Sequence, residues 1–242
     1  MDIFEEKNMT KVCVVSGGSG GLGLSLASKL LKGGMNVIIL GRNSGKLLQA
    51  AKWLQTGVEH SRLTHIVCNI GKEEDIRMLG DFIKSQNMTV EYLFNNAGKG
   101  VFAKADASTA AMIDDTFEAN LKGMILLTSE ILRITPENNE LTIVNIMSTS
   151  ALFGRAEETI YCAAKWGARG YTEALRTELK GTKRNIIAVY PGGMKTDFWK
   201  APGQKRDISG FMDPVEVAEK IVNAVLVSDK MLVTDITINR KK

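Results

Sequence analysis

The sequence predicts an α/β fold in which a doubly wound, seven-stranded parallel sheet forms a single domain over residues 1–242. Three observations support this prediction. Short apolar runs alternate with longer amphipathic segments, as strands and helices do in such folds. The runs are apolar at successive positions, which is typical of strands covered on both faces of a parallel sheet. A glycine-rich turn joins the first run to the first amphipathic segment.

The elements follow in order along the chain. The seven predicted strands are residues 11–16, 36–40, 63–68, 90–94, 141–147, 185–190 and 232–238. The six predicted helices are residues 22–31, 44–55, 73–85, 110–132, 158–180 and 214–227. Gly33 and Gly34 end the first helix, and Ser44 is the predicted N-cap of the second. Asp213 is the predicted N-cap of the last helix, with Pro214 at its first position.

Residues 192–212 are the compositionally loose part of the chain and predict a mobile substrate lid. This segment contains Gly192, Gly193, Pro202, Gly203 and Gly210. Within it, residues 195–206 carry four cations, Lys195, Lys200, Lys205 and Arg206, against the single acid Asp197. Two alternatives stay open: the cations select an anionic substrate, or they only keep a loop solvated. Its aromatic residues, Phe198, Trp199 and Phe211, are candidates for an apolar pocket.

Composition excludes several classes of partner. The net charge is +4, but the basic residues are spread along the chain and form no long block, so nucleic acid is not an expected partner. No apolar stretch approaches the roughly 18 residues that span a bilayer, so no membrane association is expected. The N-terminal MDIFEEKNMT lacks the apolar run of a secretory signal. These features, with three widely spaced cysteines, favour a reducing, cytoplasmic location. The two histidines lack metal-ligand spacing, so no metal is expected.

The glycine-rich turn reads SGGSGGLG over residues 16–23. Glycines permit positive φ, close approach of the backbone to a phosphate, and close packing of the helix on the sheet. The start of the following helix then offers free N–H groups to a pyrophosphate. A tight turn without a ligand is the alternative, but its place in a long βαβ series favours a Rossmann-like dinucleotide site. The candidate residues are Ser16, Gly17, Ser19, Gly20, Gly21, Leu22 and Gly23.

The end of the second strand indicates which dinucleotide is bound. Folds that prefer NAD usually carry an acid here, which holds the ribose 2′-hydroxyl. This chain has Arg42 and Asn43 instead. The arginine fork suits a phosphate, so NADP (NADPH) is favoured over NAD. A solvated arginine in a turn is the alternative.

Several motifs in one order resemble the short-chain dehydrogenases/reductases, in their single-domain branch of about 250 residues. They are the turn Ser16-Gly17-x-x-x-Gly21-x-Gly23, Asn95-Asn96-Ala97-Gly98, Asn120, Ser148, Tyr161-x-x-x-Lys165, and Pro191-Gly192 followed by Thr196. Two positions depart from the pattern: Asn69 replaces an Asp common near the adenine, and Lys99 follows the second motif. The resemblance implies further cofactor-binding residues: Asn69, Ile70, Asn96, Ala97, Gly98, Tyr161, Lys165, Pro191, Gly192 and Thr196.

The same resemblance implies a catalytic tetrad of Asn120, Ser148, Tyr161 and Lys165. Tyr161 and Lys165 share a helix face at i, i+4, and we expect the ammonium to lower the tyrosine pKa. Tyr161 is then the general acid and base, and Lys165 holds the nicotinamide ribose. Ser148 polarises the substrate oxygen, and Asn120 belongs to a proton relay through water. Taken singly, each residue also has a purely structural interpretation.

These patterns predict an NADP-dependent oxidoreductase that interconverts a small-molecule carbonyl and a secondary alcohol, of the carbonyl reductase or 3-hydroxy-acid dehydrogenase type. The alternatives are a 3-oxoacyl-carrier-protein reductase and a non-catalytic NADP-binding sensor. Residues 110–132 and 158–180 carry small and apolar residues on long helices, which in this family often form a subunit interface. The chain is therefore expected to form a homodimer or homotetramer.

Overall fold

The computed structural model describes residues 9–56, 59–200, 207–226 and 231–241. Seven strands are present: β1 Thr10–Ser16, β2 Asn36–Gly41, β3 Leu63–Val67, β4 Met88–Asn95, β5 Leu141–Ile146, β6 Arg184–Pro191 and β7 Asp235–Ile238. Seven α-helices connect them: α1 Gly21–Lys32, α2 Ser44–Leu54, α3 Glu73–Ser85, α4 Ala110–Phe117, α5 Gly123–Ile134, α6 Thr159–Glu178 and α7 Pro214–Val225.

The strands form one parallel sheet in the order β3-β2-β1-β4-β5-β6-β7. The chain builds outward from β1 to β3, returns across β1, and then builds outward from β4 to β7. The predicted doubly wound, seven-stranded sheet is confirmed. The direction of building reverses between β1 and β4, so a crevice opens at the carboxyl ends of these two strands.

Helices cover both faces of the sheet. On one face α1, α2 and α7 bury residues such as Leu26, Leu47 and Ile221 against β1, β2 and β6. On the other face α3, α5 and α6 bury residues such as Leu79 and Leu127. The central strands are buried on both faces, whereas the edge strands β3 and β7 alternate between covered and exposed positions. Packing on both faces therefore holds β1 and β4, and the crevice at their carboxyl ends, in place.

The predicted helix over 110–132 is wrong as a single helix. A π-helical turn, Glu118–Lys122, separates α4 from α5. The Asn120 side chain donates to the carbonyl of Thr116 at 2.9 Å, and this carbonyl is the usual partner of the amide four residues on. An inserted turn of this kind is frequent at functional sites.

Two smaller boundaries also differ from the prediction, and a third agrees with it. Asn43, rather than Ser44, caps α2, because its Oδ1 accepts from the amide of Lys46 at 2.9 Å. Asp213 caps α7 as predicted, with Pro214 in the first turn. The last strand starts at Asp235 rather than at residue 232. Residue 227 of the predicted last helix and residues 201–206 of the predicted lid lie outside the described residues.

Candidate active site

The glycine turn stands at the crevice between β1 and β4. Gly17 and Gly21 have φ of +68° and +52°, a region that favours glycine. A Cβ on Gly17 would lie 2.9 Å from Cα of Ala97, and a Cβ on Gly23 would lie 2.3 Å from the carbonyl oxygen of Gly17. The turn is therefore pressed against the loop after β4 and against its own helix, and larger residues do not fit.

The start of α1 suits an anion. Within the described chain, nothing lies within 4 Å of a Cβ placed on Gly20, and α1 has no acidic residue in its first turn. Its N-terminal amides also lack a side-chain cap among the described groups. Free N–H groups and the positive end of the helix dipole thus face the cavity, as a pyrophosphate requires.

Hydrogen bonds of Ser16 connect the end of β1 to the end of β4 and to the loop after β4. Its Oγ accepts from the amides of Asn96 and Ala97, both at 3.0 Å, and donates to the carbonyl of Phe94 at 3.3 Å. The Asn96 side chain returns a bond to the carbonyl of Ser16 at 3.0 Å. Ser16 is fully buried, so it lies under the turn and shapes it rather than facing the cavity.

A cavity of about 810 Å³ runs from Arg42, along the glycine turn, to Tyr161. Most of the predicted site residues line it: Gly17, Ser19, Gly20, Gly21, Leu22, Arg42, Asn69, Ile70, Asn96, Ala97, Gly98, Ser148, Tyr161, Lys165, Pro191, Gly192 and Thr196. Ser16, Gly23, Asn43 and Asn120 are off its wall, where they support the turn, cap α2 or hold the π turn. The volume of the cavity and the residues on its wall are compatible with a dinucleotide.

The Arg42 end of the cavity carries a second cation that the sequence analysis missed. Lys46 lies in the first turn of α2, on the cavity wall with Arg42 and Trp53. Its position four residues after the arginine, at a helix start, is the signal that could have identified it. Two cations at this end are compatible with a phosphate on the ribose.

Asn69 organises the loop after β3. Its Oδ1 accepts from the backbone amide of Gly71 at 3.1 Å, and its backbone amide donates to the carboxylate of Asp75 at 2.7 Å. The side chain that replaces the common Asp is therefore committed to the turn. Ile70 beside it contributes apolar surface to the wall.

The catalytic candidates Tyr161 and Lys165 lie on α6 and are buried. The Lys165 ammonium is 5.7 Å from the centroid of the Tyr161 ring and donates to the carbonyl of Ile146 at 3.4 Å. Ser148, just beyond β5, is hydrogen-bonded to the Tyr161 hydroxyl. The structure thus brings Ser148, Tyr161 and Lys165 together at one end of the cavity.

The Tyr161 pKa shifts in the direction opposite to the one expected from the sequence. Burial raises the pKa of Tyr161 well above its ordinary value, although the hydrogen bond from Ser148 acts in the opposite sense. Burial also lowers the pKa of Lys165 to about 8. The expected net lowering of the Tyr161 pKa is therefore wrong for the described residues. Loss of water around the phenolate outweighs the lowering by Ser148 and by the Arg155 guanidinium.

Asn120 holds the loop after β4 against the π turn. Its side-chain nitrogen donates to the carbonyls of Lys99 and Thr116 at 2.8 and 2.9 Å, and its oxygen accepts from the amide of Lys99 at 3.3 Å. Lys99, which the motifs left without a role, is fixed through its backbone and forms an ion pair with Asp115. Asn120 thereby supports the cavity wall from behind.

An aromatic wall closes the substrate side of the cavity. Phe198 meets the Tyr161 ring edge to face at 5.5 Å, and Trp199 meets Phe211 at 5.1 Å. Phe198, Trp199 and Phe211, the aromatic residues selected from the sequence, all line the cavity. Phe102, which the sequence analysis did not select, stacks on Trp199 at 5.2 Å.

The predicted cationic surface of the lid is only partly described. Lys200 pairs with Asp197 at 2.7 Å, which neutralises one of its charges. Lys205 and Arg206 lie outside the described residues.

The described residues hold neither a metal-binding cluster nor a helix that could span a membrane. Over residues 9–56, 59–200, 207–226 and 231–241, no group of three or more His, Cys, Asp or Glu side chains is placed to hold a metal ion. In the same part of the chain, no helix has the length and apolar character needed to span a bilayer.

The fold and the cavity define a dinucleotide-dependent oxidoreductase. Residues 11–207 match the model of the short chain dehydrogenase family. The protein belongs to this family of NAD(P)-dependent dehydrogenases and reductases.

Three similar proteins illustrate the range of family members that this chain resembles. The 3-oxoacyl-[acyl-carrier-protein] reductase of Rickettsia conorii is 30% identical over 232 residues, which cover 91% of this chain and 90% of that protein. A variant of actinorhodin polyketide ketoreductase with NADPH is 25% identical, with a TM-score of 0.84 over 96% of both chains. A short-chain dehydrogenase/reductase from Burkholderia phymatum, in complex with NAD, has the same fold: its TM-score is 0.84 at 21% identity, over 95% of this chain and 89% of that one.

Proposed function

We propose that the protein interconverts a carbonyl and a secondary alcohol, with NADP as the hydride carrier, in the manner of carbonyl reductases and 3-hydroxy-acid dehydrogenases. The observation that carries this proposal is the convergence of Ser148, Tyr161 and Lys165 at one end of a cavity whose other end presents Arg42 and Lys46. An acid-base group and a hydride carrier are the two parts that this chemistry requires.

Each residue has a part in the reducing direction. Bound NADPH would supply the hydride. The glycine turn and the start of α1 hold the pyrophosphate, and Lys165 positions the nicotinamide ribose. Ser148 donates to the substrate oxygen and polarises it. Tyr161 gives its proton to that oxygen as the carbonyl becomes an alcohol.

The raised pKa of Tyr161 supports a role as the acid. A phenol whose pKa is raised by burial stays protonated at neutral pH, so a proton is available for carbonyl reduction. Alcohol oxidation needs the phenolate and is therefore favoured only in alkaline solution. Reduction is the direction that this site supports best at neutral pH.

The preference for NADP is a prediction that Arg42 tests. Arg42→Asp removes a cation from the Arg42 end of the cavity and adds the acid that suits a ribose 2′-hydroxyl. We expect kcat/KM with NADPH to fall by about 10- to 100-fold, the value of one lost charge-assisted hydrogen bond. We expect kcat/KM with NADH to rise.

The control for this substitution is Lys52→Asp, which makes the same change of charge at an exposed position of α2 off the cavity wall. For Lys52→Asp, the ratio of kcat/KM with NADPH to kcat/KM with NADH should match that of the wild type. An unchanged ratio in Arg42→Asp would contradict the assignment of NADP.

The aromatic wall favours an apolar substituent beside the substrate carbonyl. A 3-oxoacyl thioester is a second candidate, supported by the name of the Rickettsia conorii relative. Reduction rates for 3-oxo esters, free 3-oxo acids and 3-oxoacyl-carrier protein, measured side by side, separate the two candidates. A substrate used only as the carrier-protein thioester would favour the second.

Self-association through α4, α5 and α6 is part of the same proposal. Ile113 on α4 and Trp166 on α6 expose 41% and 48% of their surface and would supply apolar contact area to such an interface. Light scattering at micromolar concentration should give a dimer or tetramer. A monomer would contradict this part of the proposal.

A further inference from the structure

Glu158 is a buried carboxylate on the wall of the active-site cavity. It is the residue before α6, three positions ahead of Tyr161, and only 2% of its surface is exposed. Residues three apart share one side of a helical turn. Carboxylates are seldom this buried without a specific partner. The acid therefore stands beside the catalytic phenol, although none of the roles described above uses it.

A chain of hydrogen bonds connects Glu158 to the catalytic hydroxyls. Its Oε2 accepts from the Ser150 hydroxyl at 3.0 Å. The Ser150 amide donates to Oγ of Ser148 at 3.1 Å, and Ser148 is hydrogen-bonded to Tyr161. The bond from the Ser150 amide restricts the position of the Ser148 oxygen beside Tyr161. The short 3₁₀ turn Thr149–Ala151 thus links the acid to both catalytic hydroxyls.

The negative charge of Glu158 also acts on Tyr161 directly. It raises the pKa of the phenol, in the same sense as burial, whereas Arg155 acts in the opposite sense. The other titratable and charged groups around the phenol are Lys165 and Cys162 on α6, Lys99 across the cavity, and the Asp197–Lys200 pair beside Phe198. Among these groups, Glu158 combines burial, negative charge and a hydrogen-bonded route to Ser148.

We propose that Glu158 is a positioning residue that orients Ser148 through Ser150 and places a negative charge beside the Tyr161 phenol, and so favours carbonyl reduction over alcohol oxidation at neutral pH. In reduction, bound NADPH would supply a hydride, with its two electrons, to the carbonyl carbon, and Tyr161 gives its proton to the oxygen. In oxidation the Tyr161 phenolate takes the alcohol proton, and bound NADP⁺ would accept the hydride. The inference rests on the proposed function.

Glu158→Gln tests the charge while preserving the shape and an oxygen acceptor for Ser150. Without the negative charge the phenolate is less disfavoured, so the Tyr161 pKa falls. For alcohol oxidation, which needs the phenolate, we expect the acidic limb of kcat/KM to move about one pH unit lower, which raises the rate at neutral pH about tenfold. For reduction, which needs the phenol, activity should be lost at a correspondingly lower pH. A merely structural defect would lower both rates and move neither limb.

A spectroscopic titration gives a readout independent of turnover. The tyrosinate absorbance of the NADP⁺ complex is followed against pH, and the same curve for Tyr161→Phe is subtracted to isolate Tyr161. The isolated transition should move to lower pH in Glu158→Gln. Glu158→Asp, which keeps the charge, should restore the wild-type position.

Glu157→Gln is the matched control, because it removes the same charge from the neighbouring, exposed residue. Its pH profile should superimpose on that of the wild type. A Glu158→Gln profile that also superimposes, or an equal shift in Glu157→Gln, would overturn the proposal. If Glu158→Gln fails to fold, Ser150→Ala carries the test: kcat should fall about tenfold in both directions, and an unchanged kcat would overturn the positioning role.

The two proposals fail in different ways. If the proposed function is wrong, the wild type itself reduces no carbonyl substrate. If only the role of Glu158 is wrong, the wild type is active and its pH profile matches that of Glu158→Gln.

Discussion

Tyr161→Phe should lower kcat for carbonyl reduction by about 10²- to 10⁴-fold, the range that general acid catalysis supplies. The phenol is buried at the end of the cavity and hydrogen-bonded to Ser148, so no solvent group replaces its proton. The affinity for NADPH should change little, because the ring and Lys165 stay in place. Both quantities are measured on one preparation, by NADPH oxidation and by fluorescence titration of NADPH.

Tyr171→Phe is the control for this variant. Tyr171 lies on the same helix, ten residues further on; it is partly buried, packs against the core cluster that contains Leu127, and is off the cavity wall. Its kcat should stay close to that of the wild type. Full activity in Tyr161→Phe would show that the assigned acid is wrong.

Gly23→Val should abolish NADPH binding, with an affinity loss of at least about 100-fold. Its Cβ would lie 2.3 Å from the carbonyl oxygen of Gly17 and 2.5 Å from the side-chain nitrogen of Asn96. Real Cβ atoms do not approach so closely, so α1 must move away from the turn that would hold the pyrophosphate. Affinity is measured by NADPH titration, and circular dichroism shows whether the fold persists.

Gly170→Ala is the matched glycine control. This residue lies within α6, and its added Cβ would meet no described atom within 4 Å other than its chain neighbours and the backbone of its own helix. Alanine should be neutral or stabilise the helix by up to about 1 kcal/mol, with NADPH affinity unchanged. If Gly23→Val kept wild-type affinity for NADPH, the glycine turn would not be the pyrophosphate site.

The fold could be predicted from the sequence because local and global signals agree. The central strands are apolar at successive positions, and Gly17, Gly21 and Gly23 stand where only glycine fits. The order of these signals along the chain determined the topology. The edge strand β7 was less certain at its start, because half of its residues are exposed and its pattern resembles a loop.

The predictions failed where side chains override local pattern. The π turn depends on contacts of Asn120 with a loop twenty-one residues earlier, and helical periodicity carries no trace of such contacts. The Tyr161 pKa depends on how completely Phe198 and its neighbours exclude water. Spacing places Lys165 on the same face but gives no measure of burial.

Glu158 is a residue whose place in the site could not be predicted from the sequence. A glutamate just before a helix is ordinarily a solvated residue near the positive end of the helix dipole. Only the fold reveals that it is buried and bonded to Ser150. Motifs locate the groups that carry out the chemistry, whereas the groups that adjust them depend on the packing around the site.

The transfer of deuterium from NADPH to substrate tests the central claim most directly. NADPH labelled at the nicotinamide carbon that carries the hydride is incubated with the protein and a panel of ketones, aldehydes and 3-oxo esters. Mass spectrometry should then find one deuterium on the carbinol carbon of at least one product, and none with Tyr161→Phe. Tight NADPH binding without deuterium transfer to any member of the panel would contradict the account and favour a non-catalytic NADP-binding protein.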